Sequence, residues 1–179
     1  MDISKHALAE SKINAKGLGL LRADASHLPF RFGSFDTVTC FDVLEHLYDP
    51  RKAIADIARI LADGGILAIM TPNPMSLGRG IKASRWFGFR DPTHVSMLLK
   101  NKWTDLLSTE GLQVTYTFYT GLWDSPYLSY FPTVVQHLMF KVGATILFWI
   151  GLSFSERLGE DLCIVARKRV GSNCTASPN

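Results

Sequence analysis

The segment from Phe35 to Thr71 constrains the fold more than any other part of the chain. Phe35–Phe41 reads Phe-Asp-Thr-Val-Thr-Cys-Phe, a β-branched and aromatic run that predicts a strand. Asp49-Pro50 then opens a helix, with Asp at the cap and proline at the first helical position, where its missing N–H is not needed. Ala53, Ile54, Ile57, Ala58 and Leu61 recur at helical spacing as one apolar stripe, and Gly64-Gly65 is expected to stop the helix. Ile66–Thr71 follows as a second strand, ended by Pro72-Asn73-Pro74. Strand, one-faced helix and strand in close succession imply a crossover connection, so that parallel strands form a sheet with helices packed on it.

Further elements extend this α/β pattern. Residues 4–15 predict a helix capped by Ser4 and ended near Gly17, and Leu18–Ala23 predicts a short strand. Residues 74–96 read as irregular, rich in Gly, Arg and aromatics. Lys100–Thr109 predicts a helix around Trp103, Leu106 and Leu107, Gly111–Tyr119 a strand, and Asp161–Ala166 a last strand before Arg167-Lys168-Arg169. One domain is expected over residues 1–170, with a disordered tail over 171–179. The 179 residues are 47% hydrophobic and 20% charged, enough for a sizeable core and unlike a disordered chain.

A net charge of +3, with no stripe of Lys and Arg, argues against a nucleic-acid partner. The three cysteines, Cys40, Cys163 and Cys174, form no CxxC pair, so neither a redox motif nor a cysteine metal site is expected. No apolar leader segment follows Met1, and a cytoplasmic location is the expectation.

Three segments carry a resemblance. Asp2-Ile3-Ser4 precedes a helix, and by itself reads as a plain helix cap. Arg22-Ala23-Asp24-Ala25 is followed by Leu28-Pro29-Phe30, and Asp24 by itself reads as a turn residue. The long block Phe35-Asp36-Thr37-Val38-Thr39-Cys40-Phe41-Asp42-Val43-Leu44-Glu45-His46-Leu47-Tyr48-Asp49-Pro50 continues to Gly64-Gly65 and Thr71-Pro72-Asn73. In this order and spacing they resemble the class I S-adenosylmethionine-dependent methyltransferases, near the subgroup that includes ubiquinone-biosynthesis methyltransferases. The resemblance spans residues 1 to about 120 and the closing strand. It implies a Rossmann-like, doubly wound sheet, mostly parallel with an antiparallel C-terminal strand.

The resemblance also implies roles. Asp2 and Ile3 would meet the ribose of S-adenosylmethionine, a carboxylate accepting two hydrogen bonds from a vicinal diol. Asp24, Ala25 and Leu28 would meet the adenine, with Phe41 beside the cofactor. The family's first strand and glycine-rich loop would precede Asp2, so an incomplete domain is expected. The implied activity is methyl transfer to a small, hydrophobic acceptor, and the alternative is a non-catalytic binding or partner subunit.

Asp42, Glu45 and His46 would share one face of a helical turn. Three readings stay open: a divalent-cation site, loop architecture, or His46 as a general base. Asp91-Pro92-Thr93-His94-Val95 resembles a histidine segment of relatives, and His94 reads as an acceptor contact or a structural loop histidine. His46 and His94 are the catalytic candidates, and no residue is assigned to a metal. Ser125–Ser155 contains one formally charged residue, Lys141. Pro132, Lys141 and Gly143 break this stretch below the roughly 20 apolar residues of a membrane span. Buried inserted helices over about 125–157, a lid in peripheral contact with a membrane or lipophilic acceptor, and a true span are the three readings that stay open. Arg79, Lys82, Arg85 and Arg90 would assist such a contact or form a solvated loop.

Overall fold

The computed structural model describes residues 1–15, 17–121, 124–128, 130–149 and 154–171. The expected tail beyond Gly171 lies outside them. Six helices and four strands follow in order: α1 (Lys5–Asn14), β1 (Phe35–Phe41), α2 (Pro50–Ile60), β2 (Leu61–Pro72), α3 (Leu77–Lys82), α4 (Phe87–Arg90), α5 (Lys100–Thr109), β3 (Leu112–Thr120), α6 (Thr133–Trp149) and β4 (Asp161–Lys168). Short 3₁₀ turns lie at Leu44–His46 and Ala83–Arg85.

The strands form one sheet in the order β1-β2-β4-β3. β1 and β2 are parallel, and β4 runs antiparallel to both β2 and β3. β1, β2 and β3 therefore share one direction and the C-terminal strand opposes them, as the resemblance implies. Cys40 pairs with Ile69, and Ile69 with Ile164, so one face of the sheet presents a continuous apolar row. Ala53, Ile54, Ile57 and Ala58 of α2 cover that face together with Trp103 and Leu107 of α5, and all are buried. The apolar stripe read from sequence is thus the packing face of α2.

Local differences from the sequence expectation have physical causes. Leu18–Ala23 is not a strand: it contributes one parallel bridge, Asp2 with Arg22, and Leu18 is exposed. Asp49 makes no side-chain cap bond, although Pro50 does occupy the start of α2. α2 ends at Ile60, before the two glycines, because Leu61 already pairs with Phe35. The next pair is Thr37 with Ile66, so residues 62–65 arch out of register. Gly64 takes φ +76°, and a Cβ on Gly65 would lie 2.8 Å from the Ala62 carbonyl oxygen. The glycines serve this bulge rather than a helix cap.

The apolar segment after residue 125 forms α6. Its Val134 (79% exposed), Leu138 (64%) and Met139 face solvent, so it is not a buried insertion. Among the described residues no helix is long and apolar enough to cross a membrane.

One polar tie fixes the loop between α1 and β1. Arg59 of α2 is ion-paired with Asp56 at 2.6 Å and donates to the carbonyls of Phe30 (2.7 Å) and Leu28 (2.8 Å). Asp56 in turn accepts from the Leu28 N–H. Removing the guanidinium leaves two part-buried carbonyls without this donor, so Arg59→Ala is expected to cost about 1–3 kcal/mol. A denaturant melt measures the loss, and amide exchange should accelerate first at residues 28–33.

Candidate functional site

The bridge between Asp2 and Arg22 lays two chain segments side by side next to the carboxyl end of β1. Between them and β1 opens a cleft of about 940 Å³. Asp2, Ile3, Asp24, Ala25, Leu28, Phe41 and His46 all line it, so six cofactor candidates and one catalytic candidate share one concavity. Asp42 lines it too. The acidic pair is oriented locally. One oxygen of Asp2 accepts from the Ser4 N–H at 2.7 Å, and one oxygen of Asp24 from the Ser26 N–H at 2.8 Å. In each carboxylate these turns engage Oδ1 and hold the group at the cleft. Leu28 and Phe30 supply apolar lining, held by the Arg59–Asp56 tie. An acidic, partly apolar cleft with two oriented carboxylates fits a nucleoside: diol and amino hydrogens for the acids, a ring face for Phe41 and Leu28.

His94 does not line the cleft, but folding brings it to His46. The two imidazole rings lie 4.7 Å apart at 56°. Segment 91–96 is stitched to the 3₁₀ turn after β1: the Ser96 N–H donates to the Glu45 carbonyl at 2.9 Å, and the Ser96 hydroxyl to the Leu47 carbonyl at 2.6 Å. Asp42 stands before that turn with φ 51°, a left-handed conformation that Asp tolerates better than most residues. The expected Asp42–Glu45–His46 face is therefore replaced by Glu45–His46–His94, whose ligand atoms all lie within 4.8 Å of one another.

Hydrogen bonding settles both tautomers. His94 Nδ1 is 2.8 Å from the Gly88 carbonyl, which only accepts, so Nδ1 carries the proton. The Thr93 hydroxyl donates its one hydrogen to Asp91 at 2.6 Å, so at the 2.8 Å contact His46 Nδ1 donates to the Thr93 oxygen. These bonds from Thr93 lower the Asp91 pKa and keep it an ionised acceptor. The other ring nitrogen of His94, Nε2, lies 3.9 Å from a carboxylate oxygen of Asp91. Glu45 is 0% exposed, and neither carboxylate oxygen has a hydrogen-bond partner. Burial pushes its pKa up to about 7; its own backbone N–H pulls it down in part, and Asp42, Asp161 and Asp91 raise it further. Burial raises Asp42 as well, against the pull of His46 and His94.

Cys40 and Cys163 are buried, and burial above all pushes each thiol up to about 12, so neither is a nucleophile. The aromatic segment beside the histidines is built on Trp86, which packs edge-on against Phe87 and Phe89. Asp124 pins this segment, pairing with Lys82 at 2.8 Å and Arg90 at 3.1 Å and accepting from the Phe87 N–H. Three of the four basic residues read as candidate lipid contacts are engaged within the protein, Arg79 by donating to the Pro74 carbonyl at 3.0 Å. Trp123, which the sequence places among the acceptor-side aromatics, lies outside the described residues. Glu45, Thr93 and Asp91 went unassigned in the sequence. The spacing of Glu45 beside His46 pointed there, but nothing in sequence announces the approach of residues 91–96.

An open α/β sheet, with a cleft lined along β1 from Phe35 to Phe41, is a Rossmann-like arrangement. Residues 1–69 match the model of the methyltransferase domain family. A Mycolicibacterium smegmatis protein described as a probable S-adenosylmethionine-dependent methyltransferase is 26% identical over 117 residues, covering 65% of this chain and 44% of that protein. Demethylmenaquinone methyltransferase of Thermus thermophilus is 39% identical over 74 residues, covering 40% of this chain and 34% of its own length. The structure of an S-adenosylmethionine-dependent methyltransferase from Archaeoglobus fulgidus superposes with a TM-score of 0.61 at 18% identity, covering 93% of this chain and 73% of that one. The methyltransferase domain match thus lies on residues 1–69, and the chain shares its fold with solved methyltransferase structures. It spans about two fifths of the length of the first curated relatives it matches.

Thr93→Val deletes the hydroxyl that orients His46 and leaves the Gly88 carbonyl beside His94. Nitrogen-15 spectra of the imidazoles are expected to lose the fixed Nδ1–H signature at His46 and keep it at His94. Unchanged His46 resonances would contradict the tautomer assignment.

Proposed function

We propose that the protein transfers a methyl group from S-adenosylmethionine to a small, hydrophobic acceptor. The observation that carries this reading is the single cleft shared by Asp2, Asp24, Phe41 and His46. The methyltransferase domain match over residues 1–69 supports the cofactor, and the two carboxylates fit its nucleoside. In this reading Asp2 and Ile3 hold the ribose, and Asp24 and the Ala25 N–H hold the adenine. Leu28 and Phe41 supply apolar contact. The Leu28 N–H is engaged by Asp56, so Leu28 contributes its side chain rather than its amide.

S-adenosylmethionine supplies an activated methyl group on a sulfonium. The chain's residues then have modest tasks: to orient the acceptor, exclude water and remove a proton where the acceptor carries one. His46 and His94, each turned by its Nδ1 hydrogen bond, are the catalytic candidates, with His46 at the cleft as the candidate base. Trp86, Phe87 and Phe89 beside them favour an apolar acceptor.

The exposed apolar residues of α6 extend the proposal to peripheral contact with a membrane from which such an acceptor is drawn. Calorimetry with S-adenosylmethionine tests the cofactor assignment. Asp24→Ala should weaken binding by about tenfold or more, the cost of a lost charge-assisted hydrogen bond. An unchanged Kd would count against the adenine role. For the membrane contact, the protein should float with phosphatidylglycerol-containing vesicles, and Leu138→Glu with Met139→Glu should abolish flotation. Protein that stays at the bottom of the gradient sinks this part.

A further inference from the structure

One carboxylate, that of Asp91, engages both histidines. Its Oδ1 accepts twice from Thr93, from the N–H at 2.8 Å and from the hydroxyl at 2.6 Å. Its Oδ2 lies 3.9 Å from His94 Nε2. A 2.6 Å contact is in the range of a hydroxyl donating to an ionised carboxylate. The two Thr93 bonds hold the Asp91 carboxyl below its usual range, and an ionised carboxylate only accepts. A threonine hydroxyl has one hydrogen. With that hydrogen on Asp91, the Thr93 oxygen accepts, and His46 Nδ1 lies 2.8 Å from it. The direction of the second bond is dictated by the first.

Thr93 by itself does not fix that direction. A hydroxyl released from Asp91 is free to donate to His46 Nδ1, and the ring then carries its proton on Nε2. The frame around the ring is the same for either tautomer. The His94 ring lies 4.7 Å from that of His46, and Ser96 ties the segment to the Glu45 and Leu47 carbonyls. Only the place of one proton differs, and the Asp91 carboxylate decides it. His94 escapes this control, because its Nδ1 faces the Gly88 carbonyl, which never donates.

We propose that Asp91 is a positioning residue for His46: through the Thr93 hydroxyl it selects the imidazole tautomer that carries its proton on Nδ1 and its basic lone pair on Nε2. The two histidines then have separate tasks. His46 lines the cleft and takes a proton. His94, its side chain only 9% exposed, is the wall against which the His46 ring is held. The selection itself stands on the hydrogen bonds alone, and only its catalytic use rests on the methyl-transfer reading. In that reading an acceptor hydroxyl gives its proton to Nε2, and the imidazolium so formed keeps its Nδ1–H on Thr93. The opposite tautomer presents a hydrogen at Nε2 instead of a lone pair and cannot take the proton there.

The test records nitrogen-15 spectra of the histidines in the full chain, without S-adenosylmethionine. Asp91→Ala removes the acceptor and releases the Thr93 hydroxyl. The His46 signature should pass from Nδ1–H to Nε2–H, while His94 keeps Nδ1–H. Asp91→Asn restores an acceptor oxygen without the charge and should return His46 to the wild-type pattern, as should Thr93→Ser in place of threonine. If Asp91→Ala fails to fold, Asp91→Ser keeps an oxygen for the Thr93 N–H and serves in its stead. Turnover is read separately, with S-adenosylmethionine and phenol as the probe acceptor. Asp91→Ala should lower kcat about a hundredfold with KM little changed, and Asp91→Asn should recover most of the loss. An unchanged His46 tautomer once the acceptor is removed would overturn the proposal, and so would an inverted tautomer with kcat intact. Wild-type protein that methylates no phenol would count against the methyl-transfer reading and leave the tautomer selection standing.

Discussion

The sheet depends on where β4 inserts. The last strand of the chain hydrogen-bonds β2 on one side and β3 on the other, and among the described residues β3 has no other strand partner. The pairing runs antiparallel through Leu162, Ile164 and Ala166, all buried. At its end Lys168 reaches back to donate to the Leu61 carbonyl at 2.7 Å, at the junction of α2 and β2. The C-terminal strand thus joins the earliest and latest parts of the sheet. The same row of residues is the floor on which α2 and α5 pack.

That floor fixes the site. Packing of α2 presents Arg59 and Asp56 to the loop carrying Leu28 and Phe30, so the apolar lining of the cleft is set by helix position. β1 ends at Phe41, and the turn beyond it buries Glu45 and offers His46 to the cleft. The Ser96 bonds then carry His94 alongside. Nucleoside candidates and histidines meet because strand end, turn and loop converge at one edge of the sheet, as in open α/β folds generally.

How legible this was depended on the range of the interaction. α2 and α5 could be read because one buried face writes a 3.6-residue period into the sequence. Asp2, Asp24 and Phe41 could be read as neighbours because their motifs resemble one family's, and all three line one cleft. Leu18–Ala23 misled because a short apolar run has no period of its own. Gly64-Gly65 misled because glycine serves both helix caps and strand bulges, and only the competing pair of Phe35 with Leu61 decided between them. The solvent-facing residues of α6 were equally illegible, since apolar composition alone does not say what it will be packed against.

By itself the sequence determined an α/β sheet, its main helices and a set of candidate residues that folding places around one cleft. These follow from local periodicity, capping chemistry and motif spacing, all written along the chain. Only the tertiary structure decided that Glu45, His46 and His94 converge, and that each imidazole turns its Nδ1 to a fixed partner. Those facts rest on the hydrogen bonds of Thr93, Gly88 and Ser96, which join segments distant in sequence. Such contacts have no period and no spacing rule, because they exist only once the sheet has brought the segments together.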